Sequence, residues 1–242
     1  VFVFAGKYNS KKDEFVFAEK FREFYGERFA AYLESRLSVP VVMQNDMPAA
    51  MQSALEKTST PDDFIFLYID EGVGGGFVFN RKVFSGEHGM AGEFGFFGMN
   101  PIDATDFFPD EKSKIFSTEL SLKAISDRYI KAAGEKELNY PDAKERFIAD
   151  CLSGKELAIK TLDESVAVLG RVLWSLTELL DVSNIIFDGE IVRLGALIKA
   201  KLDEMFLKSP TYSKIDVGFI TDANAIYNGA VATGIKTFEN YV

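Results

Sequence analysis

Apolar residues along the 242-residue chain fall alternately into short strand-like runs and helical repeats, which predicts an α/β order. Val1 to Ala5 is a short apolar run closed by Gly6, with a polar turn from Asn9 to Asp13 after it. Phe24, Phe29, Tyr32, Leu33 and Leu37 recur near helical spacing, and Val39 to Met43 then read as a strand entered through Pro40. Pro48 to Glu56 reads as a helix with proline in its first turn. The apolar strand Phe64 to Ile69 runs into Asp70-Glu71-Gly72-Val73-Gly74-Gly75-Gly76, and Phe77 to Phe79 form its return. Ser85 to Pro101, with glycines at 86, 89, 92, 95 and 98, predict an irregular loop. Helices are expected over Thr118 to Ala133, Pro141 to Ser153, Lys155 to Leu180, Ile191 to Phe206 and Asn228 to Phe238, with strands over Asn184 to Phe187 and Val217 to Ile220. The long helix should turn Leu162, Val166, Leu169, Leu173, Leu176 and Leu180 inward. Strands separated by helices imply a parallel or mixed sheet covered on its faces.

Composition narrows the function classes. With 47% hydrophobic and 26% charged residues the chain can bury a core. Its 37 acidic against 27 basic side chains, a net charge of −10, repel phosphate backbones and anionic lipid, so direct binding to nucleic acid or a membrane surface is disfavoured. One cysteine, Cys151, and one histidine, His88, exclude an intrachain disulfide and a structural zinc site of Cys and His ligands, and favour a reducing, cytoplasmic setting. No apolar run reaches the ~18–20 residues of a membrane span. The opening Val-Phe-Val-Phe reads as a strand cut into mid-protein, the start of a fragment or processed product.

Three segments could carry chemistry. Val41 to Ala50 delivers Asn45 and Asp46 at the end of a strand, where an amide and a carboxylate can hold adjacent hydroxyls and the carboxylate can deprotonate one; Asp46 can equally cap the next helix. The glycines at 72 and 74–76 have the spacing of a phosphate cradle, but Asp70 and Glu71 at their entry would repel phosphate, which favours a structural hairpin. In Gly86-Glu87-His88-Gly89-Met90-Ala91-Gly92-Glu93-Phe94-Gly95-Phe96, glycines on both sides of Glu93 could present its carboxylate to a hydroxyl pair. His88 lacks a Ser or Cys nucleophile motif and reads, with Glu87, as a polar loop residue.

The order of these elements, from Pro40-Val41-Val42 through Asn45-Asp46 and Ala49-Ala50, the glycine hairpin, and Gly86…Gly89-x-Ala91-Gly92-Glu93-Phe94-Gly95, resembles the ROK family, which groups bacterial sugar kinases with NagC/XylR-type transcriptional repressors. Ile185-Ile186-Phe187-Asp188-Gly189 is similar to the family's late strand and glycine turn, and Asn228-Gly229-Ala230 to the start of its final helix. The resemblance implies an α/β fold of the actin-like ATPase, ribonuclease H-like, two-lobed, sugar-kinase type. Residues 1–45 would be the remainder of the small lobe, 46–225 the large lobe and 226–242 a helix returning to the first. It carries sugar contacts onto Asn45, Asp46 and Glu93, with Asp46 as general base in a kinase, and a further contact onto Glu119.

Departures from the family pattern then set the functional expectation. Asp70-Glu71-Gly72 stands where kinases have Gly-Thr-Gly, and Glu190 replaces a glycine after Gly189, so Glu71, Gly72, Gly74, Gly189 and Glu190 form a degenerate nucleotide site. Phe96 replaces a zinc-ligating histidine and the cysteine-rich loop is absent, so zinc is not expected; Phe96, Phe97, Phe107 and Phe108 could pack that loop instead. The expectation is a catalytically inactive, sugar-sensing effector and oligomerisation domain of a ROK regulator, homodimeric and cytoplasmic. Its ligand would be a hexose or amino sugar, it would have no cofactor, and DNA would be reached only through a helix-turn-helix outside this chain. The alternative is an ATP- and Mg-dependent hexose or N-acetylhexosamine kinase.

Overall fold

The computed structural model describes residues 1–57, 59–98, 114–208 and 214–239. In chain order its elements are β1 (Phe2–Phe4), β2 (Lys7–Asn9), β3 (Glu14–Phe17), α1 (Phe29–Leu37), β4 (Met43–Asn45), α2 (Asp46–Leu55), β5 (Phe64–Ile69), β6 (Val73–Phe79) and β7 (Lys82–Val83). There follow α3 (Phe116–Leu120), α4 (Leu122–Ala132), α5 (Tyr140–Leu152), α6 (Glu156–Leu180), β8 (Asn184–Asp188), α7 (Gly195–Leu207), β9 (Asp216–Phe219) and α8 (Ala225–Glu239). Two compact units result: Val1–Asp62 with Gly76–Gly92 and Asp222–Val242, and Asp63–Gly75 with Glu93–Thr221. Within the first unit β4 runs without a break into α2, and α2 packs along α8.

The first unit is built from short strands and many aromatic rings. β1 and β4 pair in parallel with Phe4 opposite Asn45, and β2 and β3 form an antiparallel hairpin that the sequence pattern did not reveal beyond its turn. Three-residue strands bury little surface, and rings supply the rest: Phe4, Tyr8, Phe15 and Phe29 are buried, with Phe2, Phe21 and Phe24 packed around them. Phe4 meets Phe15 edge-on at 5.1 Å between centroids and Phe24 meets Phe29 at 4.7 Å, geometries that suit the ring quadrupoles. The single helix expected from 21 to 37 is a 3₁₀ turn, Glu19–Phe24, and a separate α1, divided at Gly26, whose φ of +83° is a left-handed conformation. α1 has no cap of its own; Asp13, from the hairpin turn, accepts from the amides of Ala30 at 2.8 Å and Ala31 at 3.2 Å and from the Tyr8 hydroxyl. Burial and the Asp13 carboxylate push the Tyr8 phenol well above its ordinary pKa, so it remains a donor.

α2 and α8 complete this unit at very close range. A β-carbon on Gly229 would lie 1.7 Å from the Ala49 carbonyl oxygen, so the helix backbones touch there. Asp222 fixes the entry to α8, accepting from Ser53 Oγ at 3.1 Å and the Asn224 amide at 3.0 Å.

In the second unit β5 pairs with β8 and β8 with β9, both in parallel. Phe64, Ile65, Phe66 and Leu67 of β5 and Ile185 and Phe187 of β8 are fully buried, the continuous apolar run of a strand covered on both faces. β6 begins at Val73, earlier than the expected Phe77, and takes the glycines into the strand. A β-carbon on Gly75 would lie 2.5 Å from the Phe66 carbonyl oxygen and 2.7 Å from the Phe94 ring, so close packing requires glycine there. The helix expected over 118–133 is two, broken at Ser121, whose Oγ caps α4 by accepting from the Ala124 amide at 3.1 Å. In α6, Leu162, Val166, Leu169 and Leu173 are buried as expected, whereas Leu176 and Leu180 are only half-buried at its end. Among the described residues no helix is long and apolar enough to cross a membrane.

Gly229→Ala is expected to lower stability by more than about 2 kcal/mol in urea unfolding, because the methyl must push α8 off α2. The control Gly234→Ala, whose β-carbon would meet only the Val1 side chain at 3.3 Å, should cost less than about 1 kcal/mol, the helix propensity of alanine offsetting the contact.

Candidate functional site

The carboxyl ends of parallel strands are where an α/β protein gathers ligand-facing groups, and β1 and β4 end together. Asn45 closes β4 and is the N-cap of α2: its Oδ1 accepts from the Met47 amide at 3.0 Å, and its Nδ2 donates to the carbonyl of Gly6, just beyond β1. Gly6, with φ +141°, lies so near β3 that a β-carbon would be 2.4 Å from the Phe17 carbonyl. The capping role open to Asp46 thus belongs to Asn45, and Asp46 is the first helical residue. Its carboxylate accepts from the Met47 amide at 2.9 Å. Burial raises the Asp46 pKa, against the opposing effect of backbone amides. A half-buried carboxylate whose proton affinity is raised, at a strand end, has the chemistry of a hydroxyl-binding group or base.

A second set of groups gathers in the other unit, where β5 and β8 run parallel with Tyr68 opposite Asp188. The turns after them, 70–72 and 189–190, therefore share one sheet edge. Gly189 has φ +87°, and a β-carbon there would lie 2.6 Å from the Ile69 carbonyl oxygen, so this residue must be glycine for the turns to meet. Glu71 and Gly72 are exposed, and Gly74 is already within β6. α5 packs against the 3₁₀ turn Glu190–Leu194 and sends three side chains to this edge. The Tyr140 hydroxyl donates to Asp70, Lys144 Nζ lies 3.1 Å from Glu190, and Glu145 binds the Arg193 guanidinium in a fork at 2.6 and 2.9 Å. Arg193 also reaches Glu190 at 3.1 Å. Lys144, then Arg193, lower the Glu190 pKa. Burial, then Asp70, and then the charges of Glu190 and Glu71 raise that of Tyr140. Two cations, Lys144 and Arg193, thus pair with Glu190 within the protein. Tyr140, Lys144 and Arg193 were missed in the sequence, where only the helix start at Asn139-Tyr140-Pro141 is visible and not the turn it meets.

Glu93 and Glu119 also belong to the second unit, whereas Asn45 and Asp46 belong to the first. Glu93 precedes the 3₁₀ turn Phe94–Phe96, against which α3 packs, and Ser117 Oγ comes within 2.7 Å of where a Gly95 β-carbon would be. Glu119 lies on α3, held by Arg128, which donates to its carbonyl at 3.2 Å and lies 4.0 Å from its carboxylate. Phe94 is 5% exposed, whereas Phe96 and Phe97 are 43% and 45% exposed, and Phe97 meets the Phe116 ring edge-on at 6.5 Å between centroids. The turn aims Phe94 at the gap left by Gly75; Phe107 and Phe108 lie outside the described residues. His88 is exposed, 3.9 Å from Glu87. Cys151 is buried in α5, its thiol pushed up to about 12 by that burial. Among the described residues no group of three or more His, Cys, Asp and Glu side chains is placed to hold a metal ion.

Comparison with known proteins places this geometry. The chain is 31% identical over 176 residues to the N-acetyl-D-glucosamine kinase of Histophilus somni, covering 69% of this chain and 57% of that protein. It is 36% identical over 69 residues to the xylose repressor of Staphylococcus xylosus, covering 28% and 18%. The matched regions span 40% and 57% of the length of the N-acetyl-D-glucosamine kinases of Mannheimia succiniciproducens and Histophilus somni. Among solved structures, a ROK family protein from Streptococcus pneumoniae in complex with sucrose superposes with a TM-score of 0.79 at 19% identity, over 98% of this chain and 80% of that one. A ROK transcriptional regulator homologous to the E. coli MLC protein gives 0.72 at 17%, over 96% and 63%. The fold is accordingly the α/β, actin-like fold of the ROK sugar kinases. The ROK family model matches residues 2–217, and the chain belongs to the ROK family.

Proposed function

We propose that this chain is the sugar-sensing effector and oligomerisation domain of a ROK regulator of the NagC/XylR type and that it transfers no phosphoryl group. The observation that carries this reading is the contrast between the two groups of strand-end residues. Asp46 keeps a half-buried carboxylate of raised proton affinity beside Asn45, whereas the turns at 70–72 and 189–190 carry acid that is engaged by Tyr140, Lys144 and Arg193. A nucleoside triphosphate does not fit side chains that already satisfy one another. In this reading the ligand is a hexose or amino sugar, Asn45, Asp46, Glu93 and Glu119 are the sugar contacts that the family resemblance implies, and differential affinity for two states biases a homodimer. DNA contact is made by a helix-turn-helix outside these residues, in the cytoplasm, without a cofactor. The kinship with a xylose repressor supports the regulator.

The second reading, an ATP-dependent hexose or N-acetylhexosamine kinase with Asp46 as base, is favoured by the relative named N-acetyl-D-glucosamine kinase. It also suits the raised pKa of Asp46, since a base is best poised nearer the working pH.

Calorimetric titration with glucose, N-acetylglucosamine and xylose is expected to give saturable binding by at least one of them, lost in Asp46→Asn and Glu93→Gln. Failure of all three sugars leaves only a scaffold role. A coupled assay for ADP release by the full-length protein is expected to show no sugar-dependent turnover; turnover abolished by Asp46→Asn overturns the regulator reading. Asp46→Asn has a second readout. Because the folded-state pKa is raised, the native contribution of Asp46 is full below about pH 4 and is lost as pH rises through the raised value. The amide should therefore raise Tm at pH 7, with the gain vanishing toward acid pH in a scanning series. Elemental analysis of purified protein is expected to find far less than one zinc per chain.

A further inference from the structure

The sheet edge formed by β5 and β8 is covered by the chain's own side chains. Asp70 leaves β5 with its backbone already fixed: its amide donates to the Gly72 carbonyl at 3.0 Å and its carbonyl accepts from the Leu122 amide at 2.9 Å. Its carboxylate takes the Tyr140 hydroxyl. One helical turn further along α5, Lys144 lies 5.6 Å from the Tyr140 ring centroid and 3.1 Å from the Glu190 carboxylate. The Lys144 side chain is only 17% exposed, low for a lysine, so it lies between the ring and the carboxylate instead of extending into water. Arg193 joins Glu190 to Glu145 back on α5. An unbroken line of contacts thus runs from the turn after β5, across the start of α5, to the turn after β8.

We propose that the first two turns of α5 are an internal plug: Tyr140 and Lys144 fill the carboxyl end of β5 and β8 that a nucleoside polyphosphate would need and clamp the 70–72 and 189–190 turns together. Exclusion works by occupancy. A triphosphate would have to displace a phenol from Asp70 and a lysine from Glu190, leaving Asp70 without its donor and Glu190 with Arg193 alone. The plug depends only on residues of the second unit and stands whether or not a sugar binds.

Hydrogen exchange followed by mass spectrometry tests it on the wild type, Tyr140→Phe and the double variant Tyr140→Phe/Lys144→Met. In the wild type, millimolar Mg·ATP should leave exchange across 69–73 and 189–194 unchanged. In the double variant both segments should exchange about tenfold faster or more, while the buried face of α6 keeps its protection. Should the double variant loosen α6 as well, Tyr140→Phe alone is read at 69–73, where a rise of about threefold supports the clamp and no change refutes it. Unchanged exchange of both turns in the double variant, or protection of the wild-type turns by Mg·ATP, overturns the proposal. A failed sugar titration would bear on the effector reading and leave this result as it stands.

Discussion

The close approach of Gly189 to the backbone of Ile69 is the constraint from which the chemistry of the second unit follows. A β-carbon at 189 would lie 2.6 Å from the Ile69 carbonyl oxygen, so the parallel ends of β5 and β8 meet only because this residue is glycine. Once they meet, Asp70 and Glu190 are on one edge and close enough to be served by a single helix. α5 serves both, with a phenol for one and an ammonium for the other. Isolated carboxylates at a strand edge would have left the site open and negative. Here they are engaged from within, Asp70 by a phenol and Glu190 by two cations, although the cluster keeps more carboxylates than cations.

The first unit solves a different problem. Its strands are three or four residues long, too short to bury much apolar surface. The rings of Phe4, Tyr8, Phe15 and Phe29, with Phe2, Phe21 and Phe24 against them, replace strand length with side-chain area. That core positions Asn45 and Asp46, because β4 lies against β1 and Asn45 ties the two strand ends through Gly6. Asp46 then starts α2, and α2 is pressed against α8 at Gly229. A carboxylate held at such a junction cannot move freely into water, which is why its proton affinity is raised.

Family kinship and local chemistry give different kinds of information. The family assignment covers most of the chain, yet its members' names include both kinases and a repressor. Fold alone does not choose between them. What weighs on that choice is the state of two strand-end clusters, one with a carboxylate of raised proton affinity and one satisfied from within.

Much was legible in the sequence because it depends on neighbours in the chain. The buried runs of β5 and β8, the inward face of α6 from Leu162 to Leu173 and the start of α5 follow from periodicity and capping. Asn45, Asp46, Glu93 and the glycine turns stood out through their order along the chain, which resembles that of the ROK family. Short-range pattern failed where a break is decided by packing: at Gly26, which divides an expected helix; at Ser121, which divides another; and at the β2–β3 hairpin, whose strands are too short to show a period. It failed also for Asp13, which caps a helix seventeen residues away by way of its turn, and for Phe94, buried in place of Phe96 because Gly75 leaves room for it. The sequence determined which residues are acidic, apolar or free of a side chain. Only the tertiary structure decided which charges meet, since Tyr140 lies seventy residues from Asp70 and Arg193 forty-eight from Glu145, and a pairing over such distances is set by the sheet that brings the segments together.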